Sequence, residues 1–504
     1  MNKTVFIISL SAALIMSASP LSAQVQESRE RVTLELPGGK APEAPDGPFD
    51  ATWESLRDLY HTPEWFKDAK FGIFLHWGVY SVPAHGSEWY PKHMYNGLRQ
   101  YHTQTWGATD EFGYKDFIPM FKAEKFNPEE WAELFAEAGA KYVIPTAEHH
   151  DGFAMYDSAL TEWDAKDKGP CRDIIGDLSK AVRARGLKFG VSDHRIENWD
   201  FMYPQNEEGT DLFDPRYAGL YGPPQKPSRV GSAMGAGTDE NGNPAHPQSD
   251  AFLEEWLARA EEIVDKYQPD LFYFDNGVNS RSLDPWKLRF AQYYYNSAAA
   301  WKKDVSIQTK SDAYLYGTIK DYERQGRAPK ELEEAYWQVD DPIGAKFGYV
   351  EGMAITNAAN VIRSLIHNIS HNGNLCLNLS PKSDGTIPEN QQAVLREVGA
   401  WLKVNGEGVY GTRYWKRTND GDDFYYTCKG KKYVYVFAMN WKGGELVIPS
   451  FDRKSSGKVR SVRMLGGKRL KRHQSDAGLT ISAPAIKEGD HPAVFKLKVK
   501  EVKK

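Results

Sequence analysis

Three apolar runs in this chain each stop on polar or charged groups that a buried strand does not ordinarily carry. Phe71-Gly72-Ile73-Phe74-Leu75 stops at His76-Trp77-Gly78, and Tyr142-Val143-Ile144-Pro145 leads to Glu148-His149-His150-Asp151. Leu271-Phe272-Tyr273-Phe274 stops at Asp275-Asn276-Gly277. Strands covered on both faces read as continuous apolar runs, and in a barrel enzyme the chemistry sits at their C-terminal ends. The repetition predicts one pocket built from several strand tips. A carboxylate such as Asp275, directly after four apolar residues, is expensive to bury unless the site uses it. Its plainer role is to cap the next helix through Asn276-Gly277. His149 and His150 cannot both face inward from a regular strand, because alternate residues point to opposite sides. They belong at a strand end or a bulge.

The alternation of elements supports a barrel. Asn127 can cap a helix with Pro128 at its first position, an apolar face of Trp131, Leu134, Phe135 and Ala138, and Gly139 to end it. The strand from Tyr142 follows at once. Similar helix–strand pairs recur before Leu187-Lys188-Phe189-Gly190-Val191 and before the strand at Asp270 to Phe274, and Val305-Ser306-Ile307 and Leu375 to Leu379 are further strand candidates. This predicts an α/β domain over residues 53–405, a (β/α)8-like barrel. A doubly wound sheet is the rival, but no Gly-rich phosphate loop follows an early strand. The Pro/Gly/Asn-rich stretch between Tyr203 and Ser249 follows the Ser192-Asp193-His194 strand end and reads as a rim loop. After about Gly406, short β-rich runs at turn-marked intervals predict an antiparallel β-sandwich over residues 406–504.

The first 23 residues read as a secretory signal peptide: Lys3, then an apolar stretch from Val5 to Met16, then Leu21-Ser22-Ala23 before the cut. This predicts export to the periplasm or the exterior. Residues 24–52, rich in Pro and Gly, read as a linker. No later run is long and apolar enough to span a membrane, so no membrane partner is expected. The formal net charge of −5 gives no reason to expect nucleic acid either. Charge is uneven, however. Lys468-Arg469-Leu470-Lys471-Arg472 reads as a solvated hairpin face or as an attractor of anionic polysaccharide. Cys171, Cys376 and Cys428 make neither a disulfide framework nor a zinc pattern and read as buried thiols. Glu148-His149-His150-Asp151, with His85, His93 and His194, also permits a metal-dependent hydrolase. No HxH or HExxH spacing supports it, so neither metal nor cofactor is expected.

These residues resemble a known family. Phe71 to Pro83 with Glu88-Trp89-Tyr90, Glu148-His149-His150-Asp151-Gly152-Phe153, Pro269 to Asp275, and Gly373 to Pro381 with Asp384-Gly385-Thr386-Ile387-Pro388 are similar to the signatures of glycoside hydrolase family 29, the retaining α-L-fucosidases. The resemblance is to the bacterial secreted type and runs from about Trp65 to Gly411. It implies a catalytic barrel with a C-terminal β-sandwich, a fucosylated glycan as substrate, and hydrolysis of terminal α-L-fucose through a covalent fucosyl-enzyme without a cofactor. It makes Asp275 the nucleophile and places fucose among His76, Glu88, Trp89, His149 and His150, with Trp89 or Trp77 against the C5-methyl side. The family does not hold its acid/base in one alignable position. The segment that usually supplies it contains Asp321-Tyr322-Glu323-Arg324, which implies Glu323, with Glu331, Glu333 and Glu334 as alternatives. The chain departs from the family pattern in three places. Ser192-Asp193-His194 stands where many members have a Tyr pair, which gives His194 a sugar or a neighbouring group to contact. Lys310 stands nearest to the Arg of several relatives, and Trp337-Gln338 where some carry Trp-Glu.

Overall fold

Eight parallel strands close on themselves: β1 (Phe71–Leu75), β2 (Tyr142–Glu148), β3 (Lys188–Asp193), β4 (Leu271–Phe274), β5 (Ser306–Lys310), β6 (Thr318–Glu323), β7 (Trp337–Pro342) and β8 (Gly373–Leu379). Each pairs with its neighbours in sequence, and β8 returns to β1 with Phe71 opposite Leu375. The computed structural model describes residues 36, 39–222, 226, 237–454, 456–484 and 491–500. The expected signal peptide lies outside these residues, as does part of the expected rim loop.

Helices α1 (Pro128–Glu137), α2 (Ile174–Ala184), α3 (Asp250–Tyr267), α4 (Asp284–Trp301), α5 (Ala358–Ser370) and α6 (Glu389–Asn405) follow β1, β2, β3, β4, β7 and β8. Their ends obey local chemistry. The Asn127 side chain accepts the Glu130 N–H at the start of α1, and Gly139 beyond its end has φ +87°, the left-handed conformation that favours glycine. No α-helix separates β5 from β6 or β6 from β7. The eightfold helix layer implied by the barrel pattern is therefore incomplete, and the outer face of β6, at Thr318, Lys320 and Tyr322, is only half-buried.

Inside the barrel the strand period of two sorts the side chains. Phe74, Tyr142, Ile144, Leu271, Tyr273, Ile319 and Cys376 pack together as its apolar floor. Polar inward residues above them bond to one another: Tyr142 donates to Gln338 Oε1 at 2.6 Å, and Gln338 Nε2 donates to Asp321 at 2.8 Å.

The C-terminal unit has eight antiparallel strands: β9 (Arg413–Asp420), β10 (Phe424–Lys429), β11 (Tyr433–Ala438), β12 (Gly444–Ile448), β13 (Val459–Met464), β14 (Arg469–Ser475), β15 (Gly478–Ala483) and β16 (Ala493–Val499). They form one connected sheet, in the order β9-β10-β11-β16-β13-β14-β15-β12. The link between β13 and β14 is narrow, resting on Val462↔Leu470 and Arg463↔Arg469. Trp415, Tyr426 and Val436 from one half share a core with Ile448, Leu479 and Ile481 from the other, so the sheet has a buried interior like the predicted sandwich.

Two sequence expectations need correction. Cys376 and Cys428 are buried, but Cys171 is exposed in the turn after Gly169-Pro170. The stretch read as a linker is, over residues 39–52, bound to the barrel's outer layer. The Ala41 N–H donates to Glu254 on α3 at 2.9 Å, and the Phe49 N–H donates to Asn296 Oδ1 on α4 at 2.9 Å. Asn296 Nδ2 returns bonds to the Pro45 and Phe49 carbonyls. Composition marked the turns of this strap but not its partners, which lie far along the chain. Asn296→Ala removes the amide that holds it. Losing these bonds costs about 1–3 kcal/mol, so thermal unfolding should occur at lower temperature and limited proteolysis should cut within residues 39–52.

Candidate active site

Six site residues continue the inward parity of their strands at the C-terminal rim. Phe74 leads to His76, Ser192 to His194, Tyr273 to Asp275, Gln308 to Lys310, Asp321 to Glu323 and Cys376 to Asn378. Strand period alone therefore gathers side chains from β1, β3, β4, β5, β6 and β8 over one barrel mouth. His149 and His150 come from just past β2. The β2–β3 register shifts between Thr146 and Glu148, the irregularity expected for two adjacent inward histidines.

Asp275 is the centre of the group. Its Oδ2 lies 2.8 Å from His194 Nδ1, its Oδ1 is paired with the Lys310 ammonium, and His150 Nε2 lies 3.8 Å from Oδ2. Burial alone would raise the Asp275 pKa, but the Lys310 charge, followed by His194, holds it well below the usual carboxylate range. The carboxylate is therefore ionised and aimed. His194 completes its hold through Ser192, whose Oγ lies 2.5 Å from His194 Nε2. Nδ1 thus faces Asp275 and Nε2 faces the Ser192 hydroxyl. His194 therefore lies against the neighbouring Asp275, one of the two contacts expected of it.

The other imidazoles face the pocket uncharged. His76 Nδ1 contacts Asn378 Oδ1 at 2.7 Å, and the same oxygen accepts the His76 backbone N–H at 3.0 Å. Asn378 in turn donates to the Phe347 carbonyl, which fixes the amide orientation. His76 is thus protonated on Nδ1 and presents Nε2 as an acceptor. Burial, and then His194, pushes the His76 pKa down to about 3. Burial, with neighbouring histidines, also lowers His149 and His150 well below the ordinary value. His149 Nδ1 is buried without a hydrogen-bond partner, an open position for a ligand hydroxyl. The His150 Nδ1 contacts the buried carboxylate of Glu197 at 3.1 Å.

Four buried charges set this corner in place. Arg195 contacts Glu148 and Glu255 at 3.2 Å each, and Arg259 contacts Glu148 at 2.7 Å and Glu255 at 3.1 Å. The two arginines and two glutamates alternate in a closed ring, all of them 1% exposed or less. Glu148 immediately precedes the histidine pair, and Arg195 immediately follows His194.

Glu323 stands at the tip of β6, 3.3 Å from the same Lys310 ammonium that pairs with Asp275. The Arg324 and Arg327 side chains also reach it, at 3.9 and 3.6 Å. Its side chain is 22% exposed. The alternatives do not join it. Glu331, Glu333 and Glu334 precede β7, at the N-terminal end of the barrel, where Glu333 accepts from Tyr322 and Asn372 binds the Glu333 and Glu334 carbonyls. Gln338 belongs to the barrel interior below.

Glu88 is held at the rim, its Oε2 accepting the Phe347 and Gly348 N–H groups at 3.1 and 2.9 Å. The Trp89 ring, partly exposed, lies 5.8 Å from His150 and 5.5 Å from Phe201. Trp77 does not join them. Its indole packs among Phe121, Phe126 and Trp131, and its N–H donates to the Lys382 carbonyl at 2.8 Å. His76 and Trp77 alternate across the strand end, so only one can face the pocket, and the expected sugar contact by Trp77 is replaced by a core role. Sequence reasoning missed Asn378, Glu197 and Phe347. A polar Asn378 within Leu375 to Leu379 was the one visible signal among them.

Among the described residues, two donor sets are compact enough to share a cation: His76, His149 and His194, and His150, His194 and Asp275, with ligand atoms within 4.8 Å. His194 belongs to both, and its Nε2 already faces the Ser192 hydroxyl.

A closed parallel barrel with an ionised carboxylate, a second carboxylate bridged to it, and neutral imidazole acceptors is the site of a glycoside hydrolase. Comparison with known proteins gives the family. The model of the alpha-L-fucosidase family matches residues 40–407, and that of the alpha-L-fucosidase C-terminal domain matches residues 418–500. The human tissue alpha-L-fucosidase is 31% identical over 465 residues, covering 90% of this chain and 91% of that protein. The bovine tissue enzyme is 30% identical over 472 residues, with coverage of 90% and 91%. A Thermotoga maritima alpha-fucosidase structure in complex with fucose superposes with a TM-score of 0.70 at 30% identity, covering 89% of this chain and 100% of that one. The chain belongs to the alpha-L-fucosidase family.

The depressed His76 pKa predicts a pH dependence. The unfolded imidazole binds a proton near pH 6.5, the folded one only near 3. The unfolded state therefore holds more protons between these values, and the stability that the neutral imidazole contributes above about pH 6.5 is lost as pH falls toward 3. In urea unfolding between pH 6 and 4, wild type should lose stability more steeply than His76→Gln, by up to about 1.4 kcal/mol per pH unit.

Proposed function

We propose that the chain is an exported, retaining exo-α-L-fucosidase in which Asp275 is the nucleophile and Glu323 the acid/base. The observation that carries the assignment is the shared ammonium. Lys310 touches Asp275 and lies 3.3 Å from Glu323, so the two carboxylates are no farther apart than two such contacts end to end. That bound admits the separation of about 5–5.5 Å in retaining pairs and falls short of the 6.5–9.5 Å or so that an inverting water needs.

In the first step an Asp275 oxygen bonds to the anomeric carbon as the glycosidic C–O bond breaks, and Glu323 gives its proton to the leaving oxygen. Water then attacks the same carbon, Glu323 takes a water proton, and the Asp275 ester bond breaks. His76 and His150 accept hydrogen bonds from fucose hydroxyls through Nε2, His149 offers its unpaired nitrogen, and Glu88 offers its remaining acceptor capacity. Trp89 packs on the C5-methyl side. A sugar lacking a matched hydroxyl leaves one of these buried groups unpaired, which disfavours it. Export, to the periplasm or beyond the cell, rests on the N-terminal Lys3, apolar stretch and Leu21-Ser22-Ala23.

Asp275→Ala should abolish turnover of an aryl α-L-fucoside while leaving the unfolding transition cooperative; near-normal turnover would remove the nucleophile assignment. Glu323→Ala should slow glycoside hydrolysis by about 10²–10⁴-fold. Added azide should restore turnover and give a fucosyl azide, and absence of that product would show that the proton comes from elsewhere.

A further inference from the structure

Charge in this chain is divided between its two units. Residues 413–500 carry twenty Lys and Arg against eight Asp and Glu, a net +12, in a chain whose whole formal charge is −5. Between Asp452 and Asp476 there are nine cations and no carboxylate. The sheet converts this composition into a surface. On β13, β14 and β16 the alternate residues Val462, Leu470 and Leu497 face the core. Arg463, Arg469, Lys471 and Lys498 therefore project outward, and all four are exposed. Register aligns Arg463 directly opposite both Arg469 and Lys496.

Like charges in directly opposed positions destabilise a sheet, and carboxylates do not relieve them here. Among the described residues, Arg463, Arg469, Lys471 and Lys498 have no acidic partner, whereas Lys496 pairs with Glu407. The guanidinium groups are instead propped on backbone, Arg463 on the Gly467 carbonyl at 3.1 Å and Arg469 on that of Arg460 at 3.5 Å. This leaves their outer N–H groups for a ligand. Strands about 4.8 Å apart, with outward residues every second position, set these cations on a regular grid. Arg forks on such a grid suit sulfate or carboxylate groups repeated along a chain.

We propose that the outer face of β13, β14 and β16 binds an anionic polysaccharide, a sulfated or uronate-bearing glycan chain, and holds it beside the catalytic barrel. The choice of glycan over nucleic acid rests on the proposed fucosidase reading and on a local observation. Single-stranded nucleic acid binding needs free aromatic faces for stacking, and the neighbouring Tyr433 ring already has Lys496 over it at 4.2 Å.

The test uses the full chain with heparin as a sulfated probe, duplex DNA of matched charge, and a neutral dextran. Wild type should bind heparin and release it as salt rises toward about 1 M, where screening shortens to about 3 Å, and should ignore dextran. The triple variant Arg463→Glu, Arg469→Glu, Lys498→Glu should bind heparin at least tenfold more weakly. Its aryl fucoside turnover and thermal unfolding should match wild type, and Arg463→Gln with Arg469→Gln should give an intermediate loss. Equal heparin affinity in wild type and triple variant would overturn the proposal, as would duplex DNA binding as tightly as heparin. Aryl fucoside turnover is read separately, so failure of the fucosidase reading would appear there and not in the binding arm.

Discussion

The ring of Glu148, Arg195, Glu255 and Arg259 is the constraint on which the pocket depends. Four charges removed from water are tolerated because each cation meets two anions and each anion two cations. Removing one member leaves uncompensated buried charge, which costs about 3–5 kcal/mol. The ring joins the end of β2, the turn after β3 and the inner face of α3. It thereby fixes the backbone on both sides of the histidines. It acts there together with the His194 N–H bond to the Glu148 carbonyl and the Asn198 bond to the His150 carbonyl, at 2.9 Å each.

Electrostatics in the pocket follow from that rigidity. His76, His149 and His150 are kept neutral by burial, so the positive charge beside Asp275 comes chiefly from Lys310. A single ammonium between two carboxylates stabilises Asp275 as an anion and holds Glu323 near it. Lysine serves here as a compact point charge shared by two partners, where an arginine fork would favour one carboxylate bidentately.

Much of this was legible in the sequence because strand period is a strong rule. The polar stops after β1, β2 and β4 marked the pocket, and the Asn127-Pro128 start and Gly139 end marked α1. The same rule, applied to His76 and Trp77, already separates them: if the histidine faces the pocket, the tryptophan cannot. Other features depend on contacts distant in sequence. Asn378 meets His76 across 302 positions, and Asn296 meets Phe49 across 247. Glu197 shows no sequence pattern because its role is set by burial against His150. The missing helices between β5 and β7 were hidden because loops and short strands there lack a periodic signal of their own.

That incomplete helix layer bears on how such an enzyme can change. The strand β4 that ends at Asp275 is backed by α3 and α4, and the strands carrying the histidines are locked by helices and buried ions. Glu323 sits on β6, the strand without an α-helix on either side in sequence, between loops at residues 311–317 and 324–336. Insertions, deletions or shifts in those loops can move Glu323 without repacking the helices around the other strands. The wall that holds Glu323 is thus the part of the site least tied to the helix layer, and its position can shift while the histidine wall stays the same.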